Sequence, residues 1–219
     1  IVDEPDYSRK IHSSAIPLAG GAIFLINIFF YLITITQMNS NSFFNGSREI
    51  LAFFLGAIFI YMVGLYDDRY SLKPNTKLIL TSLIVVTSIS ISKSFQLNSV
   101  SFLFNEKTFL LENFGIIFTV FCYLVFLNAF NMMDGINGLG VSYFLICLIY
   151  IIILNPNFQF YLFLIIPAAI FLYFNFNNKV FLGDGGSLLL GFVLSSLFVK
   201  SYNMGLIFAD QIVLLMIIP

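Results

Sequence analysis

Four aspartates, three asparagines and a run of glycines interrupt an otherwise apolar sequence, in three clusters whose residue types suit phosphate and divalent metal. The first is Asp67-Asp68, at the end of an apolar stretch and followed by Arg69, Lys73 and Pro74. Adjacent carboxylates repel unless a cation lies near them. Mg²⁺ suits such a place, because it takes one or two carboxylates together with substrate phosphate oxygens and water. The second cluster spaces Asn128, Asn131, Asp134 and Asn137 every third residue, with Gly135 and Gly138 among them. On a helix that series follows one face, so it can line a polar cleft or hydrogen-bond to neighbouring helices. The third is Gly183-Asp184-Gly185-Gly186-Ser187, opening another apolar stretch. A glycine-rich helix start offers free N–H donors to an anion, and Asp184 beside it can hold the metal that the anion shares. Each cluster alone is compatible with an ordinary helix cap or hydrophilic turn.

The elements that must position these clusters are membrane helices. Of 219 residues, 59% are hydrophobic and only 10% charged, where a soluble domain carries about 25% charged residues. The formal charge of −1 and the lack of a basic stripe exclude a nucleic-acid partner. Cys122 and Cys147 both lie in apolar runs and suggest neither a disulfide framework nor a metal site. Apolar runs near 17–37, 49–66, 76–93, 113–131, 139–155, 158–175, 186–200 and 204–219 predict an all-α, multi-pass helical bundle, with about 20 residues per crossing. About eight transmembrane helices are expected in one transmembrane domain over 1–219, which begins at Ile1 and stops inside an apolar run as though cut at both ends. Alternation of Val100, Phe102 and Phe104 before Asn105 predicts a small extracytoplasmic β-hairpin.

Counting crossings puts the N-terminal segment and the connectors carrying Asp67, Asp134 and Asp184 on one side. Arg9, Lys10, Arg69, Lys73, Lys77 and Lys179 share that side, against Arg48, Lys93, Lys107 and Lys200 on the other. The positive-inside rule makes the first side cytoplasmic. Glu49, Glu106, Glu112 and Asp210 fall on the opposite side and read as scattered. Acids at membrane depth are costly and mark a site, and four of them on one face outweigh the capping explanation.

In their order along the chain, Arg9-Lys10-Ile11-His12 with Ile16 to Gly21, Asp67-Asp68, the stretch from Asn128 to Leu139, and Val180 to Ser187 resemble the polyprenyl-phosphate N-acetylhexosamine-1-phosphate transferases. The Arg-Lys-x-His start resembles the branch using simple UDP-N-acetylhexosamines. The resemblance implies a Mg²⁺-dependent enzyme (Mn²⁺ being a substitute) of the cytoplasmic membrane. It would transfer GlcNAc-1-phosphate or a related group from a UDP-sugar to polyprenyl phosphate, release UMP and initiate cell-envelope glycan synthesis. It also implies roles. Asp67, Asp68 and Asp134 are the catalytic set and Asp184 is the metal ligand. Lys10, Asn128, Asn131 and Asn137 contact substrate, and Phe181 stacks on uracil. His12 is equally a surface residue.

Dimerisation through membrane faces is implied in the same way. Many relatives carry Asp where this chain has Asn137. They also have a helix before the Arg-Lys motif, and further helices with a His-rich loop after the last run. A proton- or ion-coupled transporter is the main alternative, since intramembrane acids also mark ion pathways. A scaffold protein is the third. Against the transporter, the acids sit at connector ends on one face and no repeat appears; the scaffold gives no reason for three acid–glycine clusters on one side.

Overall fold

The computed structural model describes residues 1–3, 15–38, 43–103, 105–154 and 158–217. Eight α-helices occur among them: α1 (Gly20–Met38), α2 (Ser47–Tyr70), α3 (Pro74–Ile91), α4 (Gly115–Met133), α5 (Leu139–Leu154), α6 (Phe158–Phe176), α7 (Gly183–Asn203) and α8 (Ala209–Ile217). The segments Ser47–Tyr70, Pro74–Ile91, Glu112–Met133 and Gly183–Asn203 are long and apolar enough to cross a membrane. Shorter apolar helices cover Gly20–Thr34, Leu139–Leu154 and Phe160–Phe176. This is an all-α membrane protein, and every expected apolar run coincides with a helix.

α7 forms the centre, with every residue from Gly185 to Tyr202 buried. It packs most extensively on α2, then on α4 and α1. Its neighbours turn apolar residues outward: Phe59 and Met62 on α2, Leu83 on α3 and Phe121 on α4 are about half exposed or more. A bundle that is apolar outside, with a fully enclosed central helix, suits a lipid solvent. α2 and α7 run antiparallel at very close range. At Gly64 a β-carbon would lie 2.4 Å from the Asp184 carbonyl oxygen, so only glycine lets the two backbones meet there.

The turn from α2 to α3 explains why both helices present their ends to one place. Ser71 adopts the left-handed conformation and its amide bonds the Asp67 carbonyl at 2.9 Å, closing α2. Lys73 is extended, as a residue preceding proline must be, and Pro74 begins α3. The helix therefore extends through Asp67 and Asp68, past the end of the apolar run at residue 66.

The expected hairpin is present as β3 (Ser99–Phe102) paired antiparallel with β4 (Asn105–Leu110). By connectivity it lies at the end of the bundle opposite Asp67 and Asp184, between the finish of α3 and the start of α4. An unforeseen pairing joins β1 (Val2–Asp3) to β2 (Ile16–Pro17). Just beyond it, Phe181 bonds the chain between β2 and α1: its amide reaches the Pro17 carbonyl at 3.0 Å and its carbonyl accepts from Gly20 N at 3.2 Å.

Candidate active site

The end of α2, the starts of α3 and α7 and the end of α4 meet at one point, which brings three of the four aspartates into a network of hydrogen bonds and ion pairs. Asp67 is nearly buried; its Oδ1 accepts from Leu72 N at 2.6 Å, and its Oδ2 lies 2.6 Å from Lys77 Nζ. The same ammonium is 3.4 Å from Asp184 Oδ2 and 3.5 Å from Asn131 Oδ1. Asp184 Oδ1 accepts from Asn131 Nδ2 at 3.2 Å, while Ser187 Oγ donates to Asn131 Oδ1 at 2.9 Å. The Asp67 and Asp184 carboxylates thus share the Lys77 ammonium.

Asp68 has a different job. Its Oδ1 accepts from Asp184 N at 2.8 Å and its Oδ2 from Gly185 N at 3.0 Å, so one carboxylate from α2 caps the first turn of α7. This corrects the reading of the glycine-rich start as a set of free anion-binding donors: the anion already there is Asp68. A carboxylate at a helix N-terminus satisfies orphan N–H groups and faces the positive end of the dipole.

Asp134 closes α4 and lies over Gly140, where a β-carbon would come within 2.8 Å of its Oδ1. Burial first, then the negative charges of Asp184 and Asp68, push its carboxyl up to about 8. Four acids therefore share this end of the bundle, and among the described residues the Lys77 ammonium bridges two of them, Asp67 and Asp184.

Other expected residues are placed less centrally. Asn128 turns back on its own helix, donating to the Leu124 carbonyl at 2.7 Å. Asn137 donates to Asn178 Oδ1 at 2.5 Å and ties two exposed loops together. Phe181 stands beside the site at the connection just described. Lys10 and His12 lie outside the described residues. Lys77 was counted in the sequence as a cytoplasmic positive charge but not as a site residue. Its signal was available: a lysine in the first turn of a helix opposes the dipole, and a nearby acid is the usual compensation.

The donor set suits a hard cation. It consists of carboxylate and amide oxygens with an excess of negative charge, and no thiol or imidazole takes part among the described residues. No three acidic, histidine or cysteine side chains there close on a single point. A cation would thus take one or two carboxylates, Asp184 with Asp67, and draw its other oxygens from substrate and water, which is the habit of Mg²⁺.

The family model for glycosyl transferase family 4 matches residues 50–202, a stretch holding all four aspartates and Lys77. The chain belongs to this family. Among its relatives, an undecaprenyl-phosphate alpha-N-acetylglucosaminyl 1-phosphate transferase of Yersinia pestis is 31% identical over 204 residues, covering 88% of this chain and 53% of that protein. The protein of the same name from Escherichia coli (strain K12) is 30% identical over 205 residues, with 88% and 53% covered. A probable undecaprenyl-phosphate N-acetylglucosaminyl 1-phosphate transferase of Bacillus subtilis (strain 168) is 28% identical over 203 residues, with 90% and 54% covered. The chain spans about half the length of the curated relatives it matches.

Proposed function

We propose that the protein containing this chain transfers an N-acetylhexosamine-1-phosphate group, GlcNAc-1-phosphate in the first instance, from a UDP-sugar to polyprenyl phosphate. The observation that carries the reading is the meeting of Asp67 and Asp184 on Lys77, with Asp68 and Asp134 at the same end of a membrane bundle. A lipid phosphate and a nucleotide diphosphate can both reach that end from the interface. The relatives' names supply the acceptor class, undecaprenyl phosphate.

In the reaction, an oxygen of the lipid phosphate forms a bond to the sugar-bearing phosphorus. The pyrophosphate P–O bond breaks, and UMP leaves with the bonding pair. Such transfers depend on positioning and charge neutralisation more than on covalent help from the protein. Mg²⁺, when bound, would neutralise diphosphate oxygens and polarise the phosphorus. Asp184 and Asp67 are the residues that would hold it, and Asn131 orients Asp184. Lys77, held at the site by Asp67 and Asp184, would place its ammonium on a phosphate oxygen. Asp67 is the acid that positions or deprotonates the acceptor phosphate, with Asp68 fixing the distance between α2 and α7. Asp134 completes the nucleotide side. The contacts of Lys10, Asn128, Asn137 and Phe181 with substrate, the eight crossings, the cytoplasmic facing of the site, the second protomer and the role in cell-envelope glycan synthesis belong to the same proposal. A coupled transporter would need its acids near mid-span, whereas these stand at helix ends.

The test is UMP release by the full-length protein from UDP-N-acetylglucosamine and undecaprenyl phosphate, with and without Mg²⁺. Release that requires Mg²⁺ and is lost in folded Asp67→Asn and Asp184→Asn variants is expected. Full activity in both variants would sink the site assignment.

A further inference from the structure

The end of the bundle opposite the aspartates holds a second charged group, which the proposed chemistry does not use. Glu49, in the first turn of α2, pairs with Lys200, in the last turn of α7, and the two are 7% and 2% exposed. Glu49 also accepts from Ser94 Oγ and, at 2.8 Å, from Asn45 N. The Lys200 ammonium lies 4.8 Å from the centre of the Phe43 ring and 5.4 Å from that of Phe44. Asn203 donates to the carbonyls of Ser94 and Gln96, both at 2.9 Å. Every charge here is matched, and aromatic rings close the group off.

We infer that Glu49 and Lys200 are positioning residues for the aspartate site, setting the register of α2 against α7 from the far side of the membrane. The two helices are fastened by polar groups at both ends: Glu49 to Lys200 at one, Asp68 to the amides of Asp184 and Gly185 at the other. Between the fastenings run about 28 Å of α2 and about 24 Å of α7, counted at 1.5 Å per residue. Apolar contacts along that length select weakly among registers in a bilayer, because lipid tails are as apolar as the side chains. A buried ion pair selects strongly, since any other register leaves a charge unpaired. A slip by one residue moves a helix 1.5 Å along its axis and turns it about 100°. That would carry Asp67 and Asp68 away from Asp184 together. The same helix that anchors Lys200 begins with Asp184, so the outer pair and the inner site are two readings of one alignment. The consequence for catalysis rests on the transferase reading above; the register does not.

Removing either partner alone leaves a buried unpaired charge and invites unfolding. The informative variant is therefore the double Glu49→Leu/Lys200→Met, which keeps volume and removes both charges, studied in the full-length protein in detergent. The readout is amide hydrogen exchange over residues 183–187. The amides of Asp184 and Gly185 stand in the first turn of α7 and have no partner within the helix, so their protection reports the Asp68 cap directly. The expected result is a double variant that still unfolds cooperatively but exchanges these two amides at least about ten-fold faster, with kcat for UMP release lowered and the KM for the UDP-sugar less changed. Ser94→Ala, which removes one donor to Glu49 and leaves the ion pair, gives a smaller acceleration of about two-fold. Parent-like exchange at Asp184 and Gly185 in both variants overturns the inference. If the parent protein releases no UMP, the transferase reading fails, and the exchange comparison still decides the register.

Discussion

The two ends of the α2–α7 pair carry opposite solutions to the problem of charge in a membrane. At the outer end one acid meets one base: Glu49 and Lys200 are both buried, and rings of Phe43 and Phe44 cover the ammonium. At the inner end four acids gather, Lys77 pairs with only Asp67 and Asp184, and the Asp184 side chain is 39% exposed. A matched and sealed pair asks for nothing further. An unmatched and partly open one holds negative charge that a cation would relieve, and a cation brings phosphate with it. The difference between the two ends is a difference in charge balance: α2 and α7 supply both, and α3 and α4 add Lys77 and Asp134 at the inner one.

Breaking the inner end should have the largest effect. Asp184→Asn and Asp67→Asn are expected to lower kcat for UMP release by about 10²–10³-fold or more while the bundle stays folded, measured by single-turnover assay and thermal unfolding. Lys77→Met comes next. It leaves the Asp67 and Asp184 carboxylates facing each other without their ammonium, and should cost about 2–4 kcal/mol of stability. Added Mg²⁺ should raise the unfolding temperature of Lys77→Met more than that of the parent. An equal rise in both would mean that the cation does not sit where the ammonium does.

Asp134 makes the comparison pH-dependent. Its folded-state value is about 8, against about 3.9 for an unperturbed aspartate. The native state therefore holds an extra proton between those values, and stability from this group falls as pH rises from about 4 to about 8. Thermal unfolding at pH 5, 7 and 9 in metal-free buffer should show a decline in the parent that is flatter in Asp134→Asn. That variant should also be the more stable of the two at pH 9, though less active. The smallest effect is expected from Asn137→Ala, which loses an exposed loop contact with Asn178. Its stability should change by about 0.5 kcal/mol or less, and UMP release should fall only a few-fold.

Much of this is legible in the sequence. Asp67, Asn131 and Asp184 were singled out by type and spacing, and crossing parity put them on one side. The structure adds that Asn131 and Asp184 are bonded to each other and that Lys77 joins both to Asp67. Lys77 escaped because a lone lysine after a proline looks like any interfacial positive charge. Asp68 was legible as an acid but not as the cap of a helix more than a hundred residues further on. Glu49 read as scattered, since nothing local to it announces Lys200. Asn128 and Asn137 shared the three-residue spacing of Asn131, yet their amides bond elsewhere.

The sequence by itself determined the membrane class, the helices and the side on which the acids gather. Those properties follow from apolar run length, from backbone hydrogen bonds that must close within each helix in lipid, and from the alternation of crossings. Tertiary structure alone decided which acid meets which partner. α7 passes through the centre, and the glycine at position 64 lets α2 touch its first turn, so two aspartates adjacent in sequence face different neighbours. Asp67 points to the ammonium of Lys77 and Asp68 to the backbone of α7. Helix spacing cannot state that division, because it depends on the rotation and register of one helix against another.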